Sequence, residues 1–278
     1  MSHSAPVRPA AGGAIGAIAA LLEHRTGQQI AASRAWRLET SLKPLLRGLG
    51  FASLDDLVAA LAMSTDGRLA EQVVDLLLNQ ETSFFRDTLV LEMVADAIAA
   101  RRAATPGRRL RIWSSGCSTG QEPLSLAMLL EERGLGPNAV DLVATDVSGA
   151  AITRARAGRF SQFEIQRGLS VLRMMRWFES DDFDWVARSE LLRRVQFRRQ
   201  NLVSDPAPPG QFDLVLCRNV LLYFPSDVRR AVFERLAGAL RDDGLLVLGA
   251  GETVIGQTGR FAPTPAWRGL YTRTPAAR

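Results

Sequence analysis

Residues 111–125 read RIWSSGCSTGQEPLS. An apolar opening that ends at Ser114 or Ser115 has the character of a buried strand, and Gly116 and Gly120 turn it sharply before a helix that begins near Gln121. Strand, glycine loop and helix in that order form the ligand-holding corner of doubly wound α/β domains. The remaining strands must then follow at suitable spacing, and they do. LRIWS (110–114), VDLVATD (140–146), FDLVLC (212–217) and GLLVLG (244–249) are short apolar runs, most of them separated by helical patterns near 121–132, 148–157 and 226–240. This alternation predicts βαβ units and a mostly parallel sheet covered on both faces, with its ligand across the carboxyl ends of the strands. The Arg-rich, aromatic-bearing stretch from 158 to 200 interrupts the pattern and fits an inserted subdomain.

The loop's chemistry narrows the ligand. A Walker loop needs Gly-Lys-Ser/Thr and has a lysine where this loop has none; a dinucleotide fingerprint needs GxGxxG, whereas this loop reads GCSTG. Glu122, just past the loop, would repel a phosphate but accept hydrogen bonds from an ammonium group. Asp146 closes the second strand, where an acid can bind the two hydroxyls of a ribose. An adenosyl ligand with a cationic tail satisfies both acids, and S-adenosylmethionine is such a molecule. On the competing reading, Asp146 caps the following helix.

Upstream of this domain the pattern is helical. Residues 1–13 are rich in Pro, Ala, Gly and Ser and predict a flexible tail, and 14–80 predict a small all-helical domain. Leu54, Leu57, Val58 and Leu61 recur at helical spacing behind an N-cap at Ser53, and Val73, Val74, Leu77 and Leu78 continue the theme. Pro44 is expected to limit or kink its helix. The stretch at 10–22 is too rich in Gly and Ala, and too directly joined to EHR, to suggest a signal peptide, and no run approaches a membrane span. With two cysteines, Cys117 and Cys217, and two histidines, His3 and His24, neither a disulfide framework nor a four-ligand zinc site can form within one chain. The expected setting is cytoplasmic. A net charge of +5 permits nucleic acid, an anionic surface or an acidic protein as partner.

Two further motifs carry chemistry. NQETSFFRD (79–87) joins the helical part to the α/β part; Thr82 or Ser83 reads as an N-cap and Phe84 and Phe85 as core, which leaves Arg86 unexplained. CRNVLLYF (217–224) follows the strand FDLVLC, so Asn219 and Tyr223 are expected at the same carboxyl edge as Gly116 and Asp146. In combination, NQETSFFRD, RIWSSGCSTGQEP, ATD, RNVLLYF and the GET ending at Thr253 resemble, in order, the CheR family of chemotaxis receptor methyltransferases. The resemblance covers nearly the whole chain from about residue 15. It implies a class I methyltransferase domain at 81–278, a small β-subdomain within about 160–200, and an N-terminal helical domain. It also implies methyl transfer from S-adenosylmethionine, giving S-adenosylhomocysteine, to glutamate side chains of methyl-accepting chemotaxis receptors, without a metal.

By the same resemblance Thr82 and Arg86 line the cofactor and target site, Glu122 holds the methionine end, Asp146 the ribose, Asn201 and Leu202 flank the adenine, and Asn219 and Val220 border the transferred methyl. Arg86 and Tyr223 are the catalytic candidates, as orienting groups. The chain departs from the family pattern at Gln80, where Asn is common, at Gln121 and Leu124, and at GAGE (249–252), where Gly-His-Ser-Glu is common. Phe84, Phe85, Leu221 and Leu222 could equally wall the site or fill the core. Arg34, Arg37, Lys43 and Arg47 form a basic strip suited to the acidic helices of a receptor's cytoplasmic bundle; the competing reading is a solvated helix face. Residues 178–192, short and without glycine, suggest independence from the receptor C-terminal pentapeptide that some family members bind. A nucleic-acid methyltransferase and a non-catalytic cofactor sensor are the alternatives; the former lacks its usual amino-group signature, and no nucleic acid or membrane insertion is expected.

Overall fold

The four apolar runs form strands that lie side by side. The computed structural model describes residues 13–30 and 35–274, the side chains of 35–37 excepted. In chain order the sheet strands are β1 (Leu110–Ser115), β2 (Val140–Asp146), β6 (Val195–Arg199), β7 (Phe212–Cys217), β8 (Leu240–Leu248), β9 (Phe261–Pro263) and β10 (Leu270–Arg273). They are arranged β6-β2-β1-β7-β8-β10-β9. The five from β6 to β8 are parallel neighbours, and β10 runs antiparallel to both β8 and β9. Ile112, Leu142, Leu214, Leu216 and Val247 share one apolar cluster with α5 (Thr88–Ala104) and α6 (Gln121–Glu132). The alternate residues Trp113, Val143, Val215 and Leu246 are equally buried, so both faces are covered, as continuous apolar runs require.

The helices α7 (Gly149–Ala157) and α11 (Ser226–Ala239) complete the main crossovers. Between α7 and β6 lies a second, antiparallel sheet of three strands, β3 (Arg159–Ser161), β5 (Asp184–Ala187) and β4 (Phe178–Asp181), in that spatial order, with α8 (Gln162–Gln166), α9 (Val171–Trp177) and the short α10 (Ser189–Leu192). The insertion therefore ends sooner than the expected 200. Residues 195–199 are the edge strand of the large sheet, and the alternation of Val195 and Phe197 with exposed Gln196, Arg198 and Arg199 is the pattern of a half-covered edge.

The chain divides into two compact units: residues up to Asn79 together with Tyr223–Pro225, and Gln80–Leu222 with Ser226 onward. The first contains α1 (Gly13–Thr26), α2 (Ala35–Leu49), α3 (Leu54–Met63) and α4 (Arg68–Leu77) around Ile18, Leu38, Leu42, Leu57 and Val73. Ser53 caps α3 as expected, its Oγ accepting from the Asp56 N–H at 3.2 Å while Asp56 accepts from the Ser53 N–H at 2.9 Å. Pro44 neither ends nor limits its helix, because α2 continues through it to Leu49. Buried Leu38 and Leu42 fix that helix from one side, and the missing N–H falls at an exposed position.

Candidate cofactor and methyl-transfer site

At the end of β1 the chain turns through Gly116, at φ +75°, where a Cβ would lie 2.3 Å from Val220 Cγ2. The Gly116 and Cys117 N–H groups donate to the Thr145 carbonyl at 2.8 and 2.9 Å, so the loop is fastened to β2. Asp146 fastens it again: Oδ2 accepts from the Ser118 N–H at 2.8 Å and Oδ1 from the Ser148 N–H at 2.9 Å. The helix cap of α7 is Ser148, whose Oγ accepts from Ala151 N–H at 3.0 Å. Asp146 thus orders the helix entry without being the cap. Gln80 lies beside it, donating from Nε2 to Ser148 Oγ at 3.0 Å and accepting at its carbonyl from Ser118 Oγ at 2.9 Å. The site therefore gathers Gln80, the glycine loop and Asp146.

The adenine-side candidates arrive from β6. Gln200 N–H donates to the Asp146 carbonyl at 2.9 Å, which sets the next two residues, Asn201 and Leu202, beside the end of β2. Asn201 Oδ1 accepts from Val203 N–H at 2.9 Å and its N–H donates to Asp205 at 2.8 Å, which shapes the turn, and Leu202 is buried.

Glu122 is not alone. Its Oε1 accepts from Ser114 Oγ at 2.8 Å and its Oε2 from Arg218 Nη1 at 2.9 Å. Arg218, with a side chain 1% exposed, also pairs with Asp87 at 2.6 Å and donates to the Arg86 carbonyl at 3.2 Å. A buried guanidinium held by two carboxylates was not among the expected site residues. The sequence signal for it was slight: an arginine directly after a fully buried strand.

The segment after Arg218 is held by one carboxylate. Glu252 accepts N–H bonds from Asn219 and Gly249 at 2.8 Å each, and from Val220 and Leu221 at 3.0 and 2.7 Å. Asn219 takes φ +59°, and a Cβ on Gly249 would lie 2.8 Å from its backbone nitrogen. This explains why GAGE can replace the commoner family residues: the contacts come from Gly249 and Glu252, while Ala250 and Gly251 are exposed. Leu221 is core and Leu222 is exposed.

In NQETSFFRD neither Thr82 nor Ser83 caps a helix. Asp87, at φ +54°, precedes α5, which starts at Thr88. Phe84 and Phe85 are core rather than cavity wall, Phe84 meeting Phe160 and Phe178 edge-on at 4.9 and 5.5 Å. Thr82 and Arg86 are half-buried, and Arg86 Nη1 lies 3.0 Å from Glu81 Oε2.

The donor set suits an uncharged, hydroxyl-bearing nucleoside with a cationic tail. Carboxylates are present at 122 and 146, no lysine stands in the loop, and Ser115 Oγ and Gln200 Oε1 are buried without hydrogen-bond partners at the ends of β1 and β6. Residues 80–269 match the family described as CheR methyltransferase, SAM binding domain. The chain belongs to this family. It is 38% identical over 240 residues to "Chemotaxis protein methyltransferase 1" of Pseudomonas aeruginosa, covering 84% of this chain and 87% of that protein. It is 36% identical to "Chemotaxis protein methyltransferase Cher2" of Pseudomonas putida, over 84% and 88% of the two chains. Among solved structures, a TehB-like SAM-dependent methyltransferase from Corynebacterium glutamicum is 17% identical, with TM-score 0.39 over 66% of this chain and 88% of that one. The protein is thus an S-adenosylmethionine-dependent methyltransferase of chemotaxis with the class I α/β fold.

Within this CheR family member Tyr223 falls in the helical unit, where its hydroxyl meets Asn79 Nδ2 and its carbonyl accepts from Gln29 N–H at 2.8 Å. The expected docking residues divide. Lys43 and Arg47 are exposed on α2, four residues apart and so on one face. Arg34 lies outside the described residues, as does the side chain of Arg37. Burial pushes the Cys117 and Cys217 thiols well up, aided for Cys117 by the charges of Asp146 and Glu122 and for Cys217 by those of Glu252 and Glu122. Among the described residues no group of three or more His, Cys, Asp or Glu side chains could hold a metal ion, and no helix is long and apolar enough to cross a membrane.

Proposed function

We propose that the protein methylates glutamate side-chain carboxylates of methyl-accepting chemotaxis receptors. The observation that carries this reading is the match of residues 80–269 to the CheR methyltransferase family, with relatives named chemotaxis protein methyltransferases. Both histidines precede residue 25 and burial pushes both thiols up, so a target that needs no base suits the chain. A glutamate carboxylate is already ionised and needs no general base. Bound S-adenosylmethionine supplies a methyl group on a positively charged sulfur. The carboxylate oxygen forms the new C–O bond as the C–S bond breaks, and no proton moves.

The protein's task is then placement, which can supply up to ~7–11 kcal/mol when reacting atoms are well aligned. Asp146 would hold the ribose hydroxyls and Glu122 the methionine ammonium beside Arg218. Gln80 and Thr82 would border the same cofactor, Asn201 and Leu202 its adenine, and Gly116, Asn219 and Val220 its reactive end. Arg86 would orient the target carboxylate. The strip Arg34, Arg37, Lys43 and Arg47 would meet the acidic cytoplasmic helices of the receptor. The four-residue β4, with Glu179, Ser180 and Asp181 exposed, gives little edge for strand addition, so receptors cut short by their last five residues should be methylated at an unchanged rate.

The deciding test is to incubate the protein with methyl-labelled S-adenosylmethionine and receptor-containing membranes, add base, and collect volatile methanol. Label released as methanol identifies carboxyl methyl esters. Label that resists base would mean amino-group or nucleic-acid methylation and would end this reading, as would tight cofactor binding with no transfer to any fraction.

A further inference from the structure

The Glu81 carboxylate bridges two arginines. Besides the pair with Arg86 at 3.0 Å, its Oε1 accepts from Arg167 Nη2 at 2.6 Å, and Arg86 Nη1 also donates to the Glu81 carbonyl at 3.3 Å. Arg167 comes from the small subdomain, at the C-terminal end of α8. The next residue, Gly168, takes φ +109°, and a Cβ there would lie 2.0 Å from the Phe84 carbonyl oxygen. The turn at 167–168 is therefore seated on the segment that carries Arg86. A second tie lies close by: Arg173 stacks over the Phe85 ring at 4.2 Å and forks onto Glu132 with two bonds of 2.8 Å.

We propose that Glu81 and Arg167 are positioning residues that set how strongly Arg86 holds the target carboxylate. The proposal rests on the reading above, in which Arg86 orients that group. The attacking oxygen loses negative charge as the C–O bond forms, so an arginine bound tightly to it stabilises the ground state more than the transition state and slows the step. Glu81 competes for Arg86 and weakens that hold. Arg167 competes for Glu81 and keeps Arg86 from being neutralised altogether. The subdomain thereby tunes the reacting end of the site through one carboxylate.

The two variants move the Michaelis constant in opposite directions. Glu81→Gln frees Arg86 for the target, so both KM for receptor and kcat should fall; Arg167→Gln leaves Glu81 wholly to Arg86, so KM should rise. Each change should be about threefold, the scale of a half-exposed ion pair. The experiment measures initial rates of base-labile methyl incorporation by the full-length protein into vesicles carrying a methyl-accepting receptor, with cofactor Kd determined calorimetrically. Opposite KM shifts, a cofactor Kd within about twofold of wild type and recovery of KM in Arg167→Lys support the proposal. KM shifts of one sign, no shift in either variant, or loss of cofactor binding in parallel with activity overturn it, because a purely structural contact would behave in those ways. If the wild-type protein itself forms no base-labile product, the carboxylate reading fails and takes this proposal with it; ester formation by the wild type with unsigned variant effects overturns the proposal alone.

Discussion

Asp146 and Arg218 illustrate two ways a single side chain can matter to the same site. Asp146 accepts from the two backbone N–H groups that fasten the loop and the entry to α7, and in the proposed reading it also holds the ribose, so Asp146→Ala removes order and ligand contacts together. Cofactor affinity should fall at least about tenfold, the scale of one lost charge-assisted hydrogen bond, as measured by calorimetry. Arg218 is buried between Glu122 and Asp87. Arg218→Met leaves Glu122 desolvated without its cation, and stability should drop by about 3 kcal/mol in urea unfolding. The first variant should remain folded and bind the cofactor weakly; the second should lose stability before its binding can be judged. The sequence hid the second role for a physical reason. The arginine's partners lie 96 and 131 residues away, and a lone Arg after a strand looks like a solvated edge until the fold brings two carboxylates to it.

Among elements, legibility tracked burial. β1, β2 and β7 could be bounded to within a residue because each is a short, mostly apolar run broken near its start by one charge (Arg111, Asp141 or Asp213), and such runs admit few alternatives. β6 escaped because VQFRR alternates, with Arg at its end, and was absorbed into the Arg-rich insertion. The helix start in NQETSFFRD was misread because Phe84 is drawn inward by Phe160 and Phe178, contacts that no local pattern reveals. The candidate site was legible where loop chemistry dictated it, at Gly116 and Asp146, and illegible where distant residues brace it, at Arg218 and Glu252. The proposed docking strip can be tested at this same scale. Reversing charge on α2, with Arg37→Glu or Lys43→Glu, should slow receptor methylation several-fold at low salt and less at high salt, with cofactor affinity unchanged. Equal rates at both ionic strengths would remove the strip from the docking model.

For the molecule as a whole, the division into two units has a part the sequence could not show. Tyr223–Pro225 belongs with the helical residues although it lies deep in the α/β sequence, and only contacts assign it there. The stability of the α/β unit carries an acid-sensitive component at Glu132, whose carboxyl is held below its ordinary 4.5 chiefly by hydrogen bonds from Arg173, against the opposing effect of burial. Because the folded value is the lower one, this stabilisation is complete above about pH 4.5 and fades as pH falls through the folded value. Glu132→Gln should cost less than ~1 kcal/mol at neutral pH and flatten the decline of melting temperature below that point. A last consequence concerns Lys43. It is the chain's single lysine among 34 basic residues and stands exposed on α2. An amine-directed fluorophore or cross-linker would therefore have one side chain to modify, making this helix a ready-made spectroscopic reporter that needs no engineered attachment point.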